Sequence, residues 1–338
     1  MTRHISVKGV FIHANATPCA NHCRYCQLAT SRPKPVSVDR YAALIHRFLD
    51  WRESHQSEFE IWPWFGNSYD TDEYTVVALR NIEERMGGLC GNVLLGGLAH
   101  RSPEEMQRWL QFRQQQGKHT LVATFSGYAE QHDYWNNLQG NYSFQLESLR
   151  LAARQGMKLQ QRILLLRSSL PGLTRLLDDL DSVAVAEYDR WAIPLFYSGQ
   201  ARRIERERLT EGDFAALPDR VRALLRSDKD NWRAEYRWAE YAMQNDEGVV
   251  DMCLPLRINE QTLSWAEKLS CDEIVHELTM RAHKAYLHMP TRRELCQKYA
   301  DLKNDKVYFN IEQMERKWIE HYLQDNPGAF DLSATRFG

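Results

Sequence analysis

The chain has 338 residues, of which 43% are hydrophobic and 26% charged, with a formal net charge of −2. That balance is ordinary for a soluble globular chain with room for one large domain and an appendage. It offers no basic surface for nucleic acid, and no stretch nears the roughly 20 apolar residues that cross a bilayer. Residues 1–10 carry Arg3, His4 and Lys8 and lack the apolar run of a signal peptide. The expectation is therefore a cytoplasmic protein whose thiols stay reduced.

Residues 5–13 (ISVKGVFIH) read as a first strand. Between 39 and 52, Tyr41, Leu44, Ile45, Phe48 and Leu49 recur at helical spacing. Residues 59–65 form a second apolar strand, and a helix follows over 71–86. Residues 93–98 (VLLGGL) make a third strand. Its helix opens on Ser102, Pro103 and Glu105, a capping box with proline at the first helical position, and stops at Gly117. Strand four covers 120–125, followed by a helix from about Ser143 to Gly156. Strand five covers 158–166, Pro171 opens the next helix, and strand six covers 190–196. Six β–α units in succession predict an α/β fold with a parallel sheet covered by helices. A partly closed barrel and an open doubly wound sheet both fit this pattern.

After Gly199 strand signals thin out while Trp, Tyr, Arg and Glu become frequent. Thr291 with Glu294, and Asn310 with Gln313, mark late helix starts. The division is a core over 1–199 and a mainly helical region over 200–338. The Arg202–Arg208 run, interleaved with Glu205 and Glu207, reads as a solvated helix face. The tail from Asp325 reads as loosely ordered.

Of seven cysteines, Cys19, Cys23 and Cys26 sit in one short segment, and Cys90, Cys253, Cys271 and Cys296 are scattered. The odd total and the absence of an export signal argue against a disulfide framework. The spacing C-x3-C-x2-C falls just after strand one, at the carboxyl end where sites gather in parallel α/β folds. Three thiolates can hold three corners of a [4Fe–4S] cube and leave one iron open. A zinc site using these cysteines with His13 or His22 is the alternative, although structural zinc sites favour two separated pairs.

C-x3-C-x-aromatic-C after a first strand, with Tyr25 at the aromatic position, resembles the signature of the radical S-adenosylmethionine superfamily. The order of the βα units extends the resemblance over about residues 5–200. It implies a partial (β/α)6 barrel of the TIM type, with the cluster at its mouth and S-adenosylmethionine on the open iron. Gly66, Asn67 and Ser68 stand where the family has a Gly-Gly-Glu-like turn for the methionine amine, the carboxylate being replaced by Asn67 or Ser68. Ser126, followed by His132, Asp133, Gly140 and Phe144, is similar to a stretch of peptide-modifying members. It would contact the methionine carboxylate, with Asn136 in place of the usual arginine. Arg162 or Arg167 would also face that carboxylate, and Leu195 would pack on adenine.

The resemblance implies an enzyme that cleaves S-adenosylmethionine reductively, fed by an electron donor such as flavodoxin or ferredoxin. A peptide substrate, as in natural-product maturation, is the first expectation. Epimerisation or dehydrogenation of a sugar or aminocyclitol is the second, and a non-catalytic iron–sulfur or zinc protein the third. Cys253 or Cys271 would serve as a hydrogen-atom donor in such an epimerisation, and an auxiliary cluster would need Cys90 or a non-cysteine ligand. Trp232, Tyr236, Trp238 and Tyr241 either line a substrate groove or pack a helix.

Overall fold

Alternation along residues 4–14 puts Val10, Ile12 and Ala14 on one face, all buried. They form the middle of a parallel sheet in the computed structural model, which describes residues 3–14, 19–26, 35–55, 58–64, 71–88, 90–183, 187–225, 231–245 and 248–337. The strands are β1 (His4–Ala14), β2 (Glu60–Trp64), β3 (Asn92–Leu94), β4 (Thr120–Phe125), β5 (Lys158–Leu165) and β6 (Tyr188–Pro194). Beyond them lie β7 (Trp232–Ala234), β8 (Val249–Ile258) and β9 (Val307–Phe309).

Among the described residues the parallel strands form two sheets, β2–β1–β8 and β3–β4–β5–β6, while β7 and β9 make a small antiparallel pair. The six expected β–α units are present in order. No ladder joins β2 to β3 among the described residues, so the two sheets are separate in their hydrogen bonding. The region after Gly199 is mainly helical but supplies β8, which pairs with β1 from His4↔Val249 to Ala14↔Ile258. The sheet that launches the cysteine loop is thus completed from the far end of the sequence.

Each sheet has its own core. Residues of β1 and β8 pack with Tyr41, Leu44, Ile45, Phe48 and Leu49 of the helix Val38–Ser54. Those of β4 and β5 pack with Leu146, Leu149, Leu173 and Leu177. The opposite face of the first sheet leaves Phe11 and Trp62 at 37% and 53% exposure. The Ser102 capping box forms as expected, its side chain accepting from the Glu105 backbone amide.

Two expectations need correcting. The tail is docked, with Ala334 and Phe337 buried and Asp331 paired to Arg281 at 3.0 Å. Arg208 is not solvated. It is buried with its guanidinium over Tyr308 and pairs with Glu205 at 2.9 Å, because it carries the bonds to Leu195 and Val307 carbonyls.

Both ends of the chain meet at Glu315, which is fully buried among Arg3, Arg292 and Arg336. Burial alone would raise its carboxyl, but the three guanidiniums hold it below the usual range. Removing one partner from a buried charge cluster strands the others. Glu315→Ala is expected to cost about 3–5 kcal/mol in urea denaturation and to expose both termini to protease.

Candidate metal and cofactor site

The described part of the cysteine loop, residues 19–26, follows the carboxyl end of β1 and is held by backbone bonds to three separate segments. Ala20 N–H donates to Gly97 O at 2.8 Å beyond β3, and Arg24 N–H to Trp135 O at 2.8 Å beyond β4. Gln200 N–H beyond β6 donates to Cys26 O at 2.7 Å. The loop from the first sheet is thereby fixed across the carboxyl ends of the second. Arg24 reinforces this by donating to Tyr134 O at 2.9 Å and lying over the Tyr134 ring.

Cys19, Cys23 and Cys26 are all half-buried and outside any disulfide. Burial, followed by the charges of Cys26 and Cys19, pushes the Cys23 thiol up to about 12, so the three sulfurs sense one another. Among the described residues, no three His, Cys, Asp or Glu side chains converge as ligands of a single ion would. A cubane asks for something different, one thiolate on each of three separate irons.

Asn136 organises the surroundings. Its Oδ1 accepts from Cys23 Sγ at 3.3 Å and from Tyr25 OH at 2.9 Å. Its Nδ2 donates to His132 O at 2.9 Å and to Ser126 Oγ at 3.1 Å. Ser126 N–H donates to His132 Nδ1 at 3.1 Å, which assigns the ring proton to Nε2. Burial pulls His132 down to about 3, so it is neutral. Asp133 accepts from the backbone amides of Gly140 at 2.6 Å and Tyr142 at 2.8 Å, closing the start of the helix Asn141–Arg154. A surface turn would have left both residues solvated; instead both are buried.

Beneath the loop, Trp135, Leu164, Leu166, Leu195 and Ala201 form an apolar layer on which Tyr25 packs. Trp135 Nε1 is buried there without an acceptor among the described residues. Three half-buried thiols on a single loop, none of them in a disulfide, match the donor chemistry of a sulfur-rich cluster.

The other expected residues divide. Ser126 is fully buried and engaged in the network. Leu195 belongs to the apolar layer. Arg162 lies on β5 level with Thr124 and Trp191, bonded to Gln160 at 2.6 Å and stacked on Trp191. Arg167 starts the short turn Arg167–Gly172 and pairs with Asp213 at 3.3 Å. Gly66, Asn67 and Ser68 lie outside the described residues.

Cys253 and Cys271 are not brought to the loop. Cys253 sits on β8 level with Gly9, its thiol directed to Glu60 at 3.9 Å. From Gly9 to Ala14 is roughly 16 Å of strand, five residues at about 3.3 Å each. Cys271 is buried at the start of the helix Cys271–His288, against Arg47 O at 3.7 Å. Cys296 is buried against Ala239 O at 3.5 Å, and Cys90 is half-buried elsewhere.

A cleft of about 540 Å3 lies in the C-terminal region, lined by Trp232, Arg233, Tyr236, Tyr241 and the Arg237–Glu211 ion pair. Trp238, by contrast, is buried in helix packing. Phe196, just past β6, meets Trp232 at 5.8 Å and Phe309 at 5.4 Å, so the cleft wall begins near the strand end that also leads to Gln200.

No family model and no curated protein matches the chain. Among solved structures it is similar to Streptococcus suis SuiB bound to S-adenosylmethionine, at 9% identity and TM-score 0.38, over 83% of this chain and 57% of that one. SuiB bound to precursor peptide SuiA matches at 9% identity and TM-score 0.37, over 55% of this chain and 39% of that one. The chain therefore spans 39% to 57% of the length of these SuiB chains. Coproporphyrinogen III oxidase (HemN) from Escherichia coli, a radical SAM enzyme, matches at 8% identity and TM-score 0.45, over 94% of this chain and 90% of that one. At such low values the functional reading rests on the chain's own residues.

The neutral buried imidazole has a measurable consequence. The unfolded chain binds a proton at His132 near pH 6.5 and the folded chain only near pH 3, so this contribution is present above pH 6.5 and is lost as pH falls toward 3. Between pH 8 and pH 5 it amounts to about 2 kcal/mol. Urea titrations of the metal-free protein at both pH values are expected to show a slope shallower by that amount in His132→Gln than in the parent.

Proposed function

We propose that the chain is an enzyme of the radical S-adenosylmethionine type. Cys19, Cys23 and Cys26 hold a [4Fe–4S] cluster, and S-adenosylmethionine binds its open iron. The observation that carries this reading is the set of three thiols on one loop after β1, tied by backbone bonds to the segments after β3, β4 and β6. When bound, the cluster and S-adenosylmethionine supply a 5′-deoxyadenosyl radical that removes a hydrogen atom from an unactivated C–H bond.

The chain's own groups do the rest. The two sheets are read as halves of a partial (β/α)6 barrel with the loop at its mouth. The layer of Trp135, Leu164, Leu166 and Leu195 keeps water from beneath the loop. Neutral His132, through Ser126 and Asn136, fixes the polar wall without adding charge. Asn67 or Ser68 is assigned to the methionine amine. Arg162, already stacked on Trp191, is the nearer to the sheet of the two arginines considered for the carboxylate. An electron enters from a donor such as flavodoxin or ferredoxin.

A peptide is the proposed substrate. A cleft of about 540 Å3 with three aromatic rings and a paired Arg237 and Glu211 suits side chains of mixed character better than it suits a uniformly charged ligand. Cys253 and Cys271, away from the loop, are not assigned a part in the chemistry.

Anaerobically reconstituted protein, given dithionite and S-adenosylmethionine, is expected to form 5′-deoxyadenosine, with both iron content and product falling to background in Cys23→Ala. Uptake of zinc in place of iron would overturn the reading.

A further inference from the structure

Helices cover one face of the first sheet, and the other face is open. On the open face Phe11 and Trp62 stand level on neighbouring strands, 37% and 53% exposed, with Pro255 level on the third strand. The Phe11 ring meets the His13 ring at 5.8 Å, so both project from this face. One row nearer the amino end of the strands come Glu60, Gly9 and Cys253. Any side chain at Gly9 would collide with the Glu60 backbone, so a gap is kept between Glu60 and Cys253.

The gap lets two donors reach one oxygen. Trp62 Nε1–H donates to Glu60 Oε2 at 2.8 Å, and Cys253 Sγ–H donates to the same atom at 3.9 Å. Both lone pairs of Oε2 are then used. Among the described residues Oε1 receives no hydrogen bond, and Glu60 meets no cation. Lys8, at the register shift between Val7 and Gly9, is already paired with Asp251 at 3.5 Å. Arg257 stands level with His13, roughly 13 Å along the strand from Cys253, four residues at about 3.3 Å each.

A carboxylate oriented by two donors, beside an exposed indole face, meets both requirements of an organic cation. The arrangement also chooses among cations. A guanidinium pairs best with both oxygens of a carboxylate at once, and here one oxygen is taken. An ammonium is a compact charge that a single oxygen satisfies, and its alkyl stem can lie along the row of Trp62, Phe11 and Pro255. We infer that the open face of the first sheet binds a primary alkylammonium group, with Glu60 Oε1 as its counter-ion and Trp62 as its aromatic wall. In the peptide substrate proposed above, the group that fits is a lysine side chain. That last step rests on the peptide reading; the site itself does not depend on the cysteine loop.

The test is a nuclear magnetic resonance titration of the full-length chain, isotope-labelled at its tryptophan indole nitrogens, without added iron. The probes are N-acetyl-lysine methylamide and its norleucine and arginine analogues; norleucine keeps the stem and lacks the charge. The Trp62 signal is the one lost in Trp62→Phe. The expected result is a saturable shift of that signal with the lysine probe, several-fold weaker binding of the arginine probe, and no shift with norleucine at the same concentration. Glu60→Gln is expected to weaken the lysine probe about fivefold, the loss of one exposed charge pair. Equal shifts with lysine and norleucine, or no shift with either, overturn the inference. An arginine probe that binds as tightly as lysine overturns the assignment to an ammonium. If Glu60→Gln disturbs the other indole signals, the lysine and norleucine probes on the parent chain decide the matter. Iron uptake plays no part in the titration, so a failure of the iron–sulfur reading and a failure of this inference are told apart.

Discussion

Three thiols on one short loop repel one another as soon as they ionise, and burial of Cys23 adds to that cost. A loop with that disposition does not hold itself together; it is clamped from outside. The clamps are the bonds to Gly97, Trp135 and Gln200, which belong to three different βα units. The two-sheet architecture exists, from the standpoint of the site, to bring those units to one end. The β1–β8 ladder matters for the same reason, since it anchors the strand from which the loop departs.

The polar wall beside the loop obeys a second constraint. Every buried polar group needs a partner, and a charged one needs far more. Ser126, His132 and Asn136 meet this with neutral groups only, Asn136 Nδ2 lying 3.1 Å from Ser126 Oγ and 2.9 Å from His132 O. Asp133, the buried carboxylate in this stretch, accepts from the backbone amides of Gly140 and Tyr142. The buried polar wall formed by Ser126, His132 and Asn136 thus carries no net charge. Elsewhere the fold tolerates buried charge freely, as at Glu315 and at Arg208, where ion pairs and ring faces surround it.

Much of the frame was legible in the residues. Period-two and period-3.6 patterns located six strands and their helices, and the Ser102–Glu105 box marked its helix start to the residue. The cysteine spacing located the loop. The strand Val249–Ile258 escaped because it stands alone among helices and its partner is β1, far away in sequence, although its alternating burial is a clean signal in hindsight. Asn136 stands in sequence where the motif that this stretch resembles has an arginine. Its work depends on Cys23, Tyr25, Ser126 and His132 meeting in space, and no local pattern encodes that. His132 and Asp133 look like a turn pair because their types favour turns; the Ser126 amide and the Gly140 turn are what make their burial affordable. The docked tail was missed because it is held by Glu315 and Arg281, charges contributed from other helices.

The central claim is that these three thiols hold an iron–sulfur cluster with one iron left open. The direct measurement is iron and sulfide content of the anaerobically reconstituted chain, with the electron paramagnetic resonance spectrum of the reduced protein recorded before and after S-adenosylmethionine is added. The account predicts about four irons and about four sulfides per chain, and a spectrum that changes when S-adenosylmethionine occupies the open iron. Zinc without sulfide, or a cluster whose spectrum ignores S-adenosylmethionine, would contradict it.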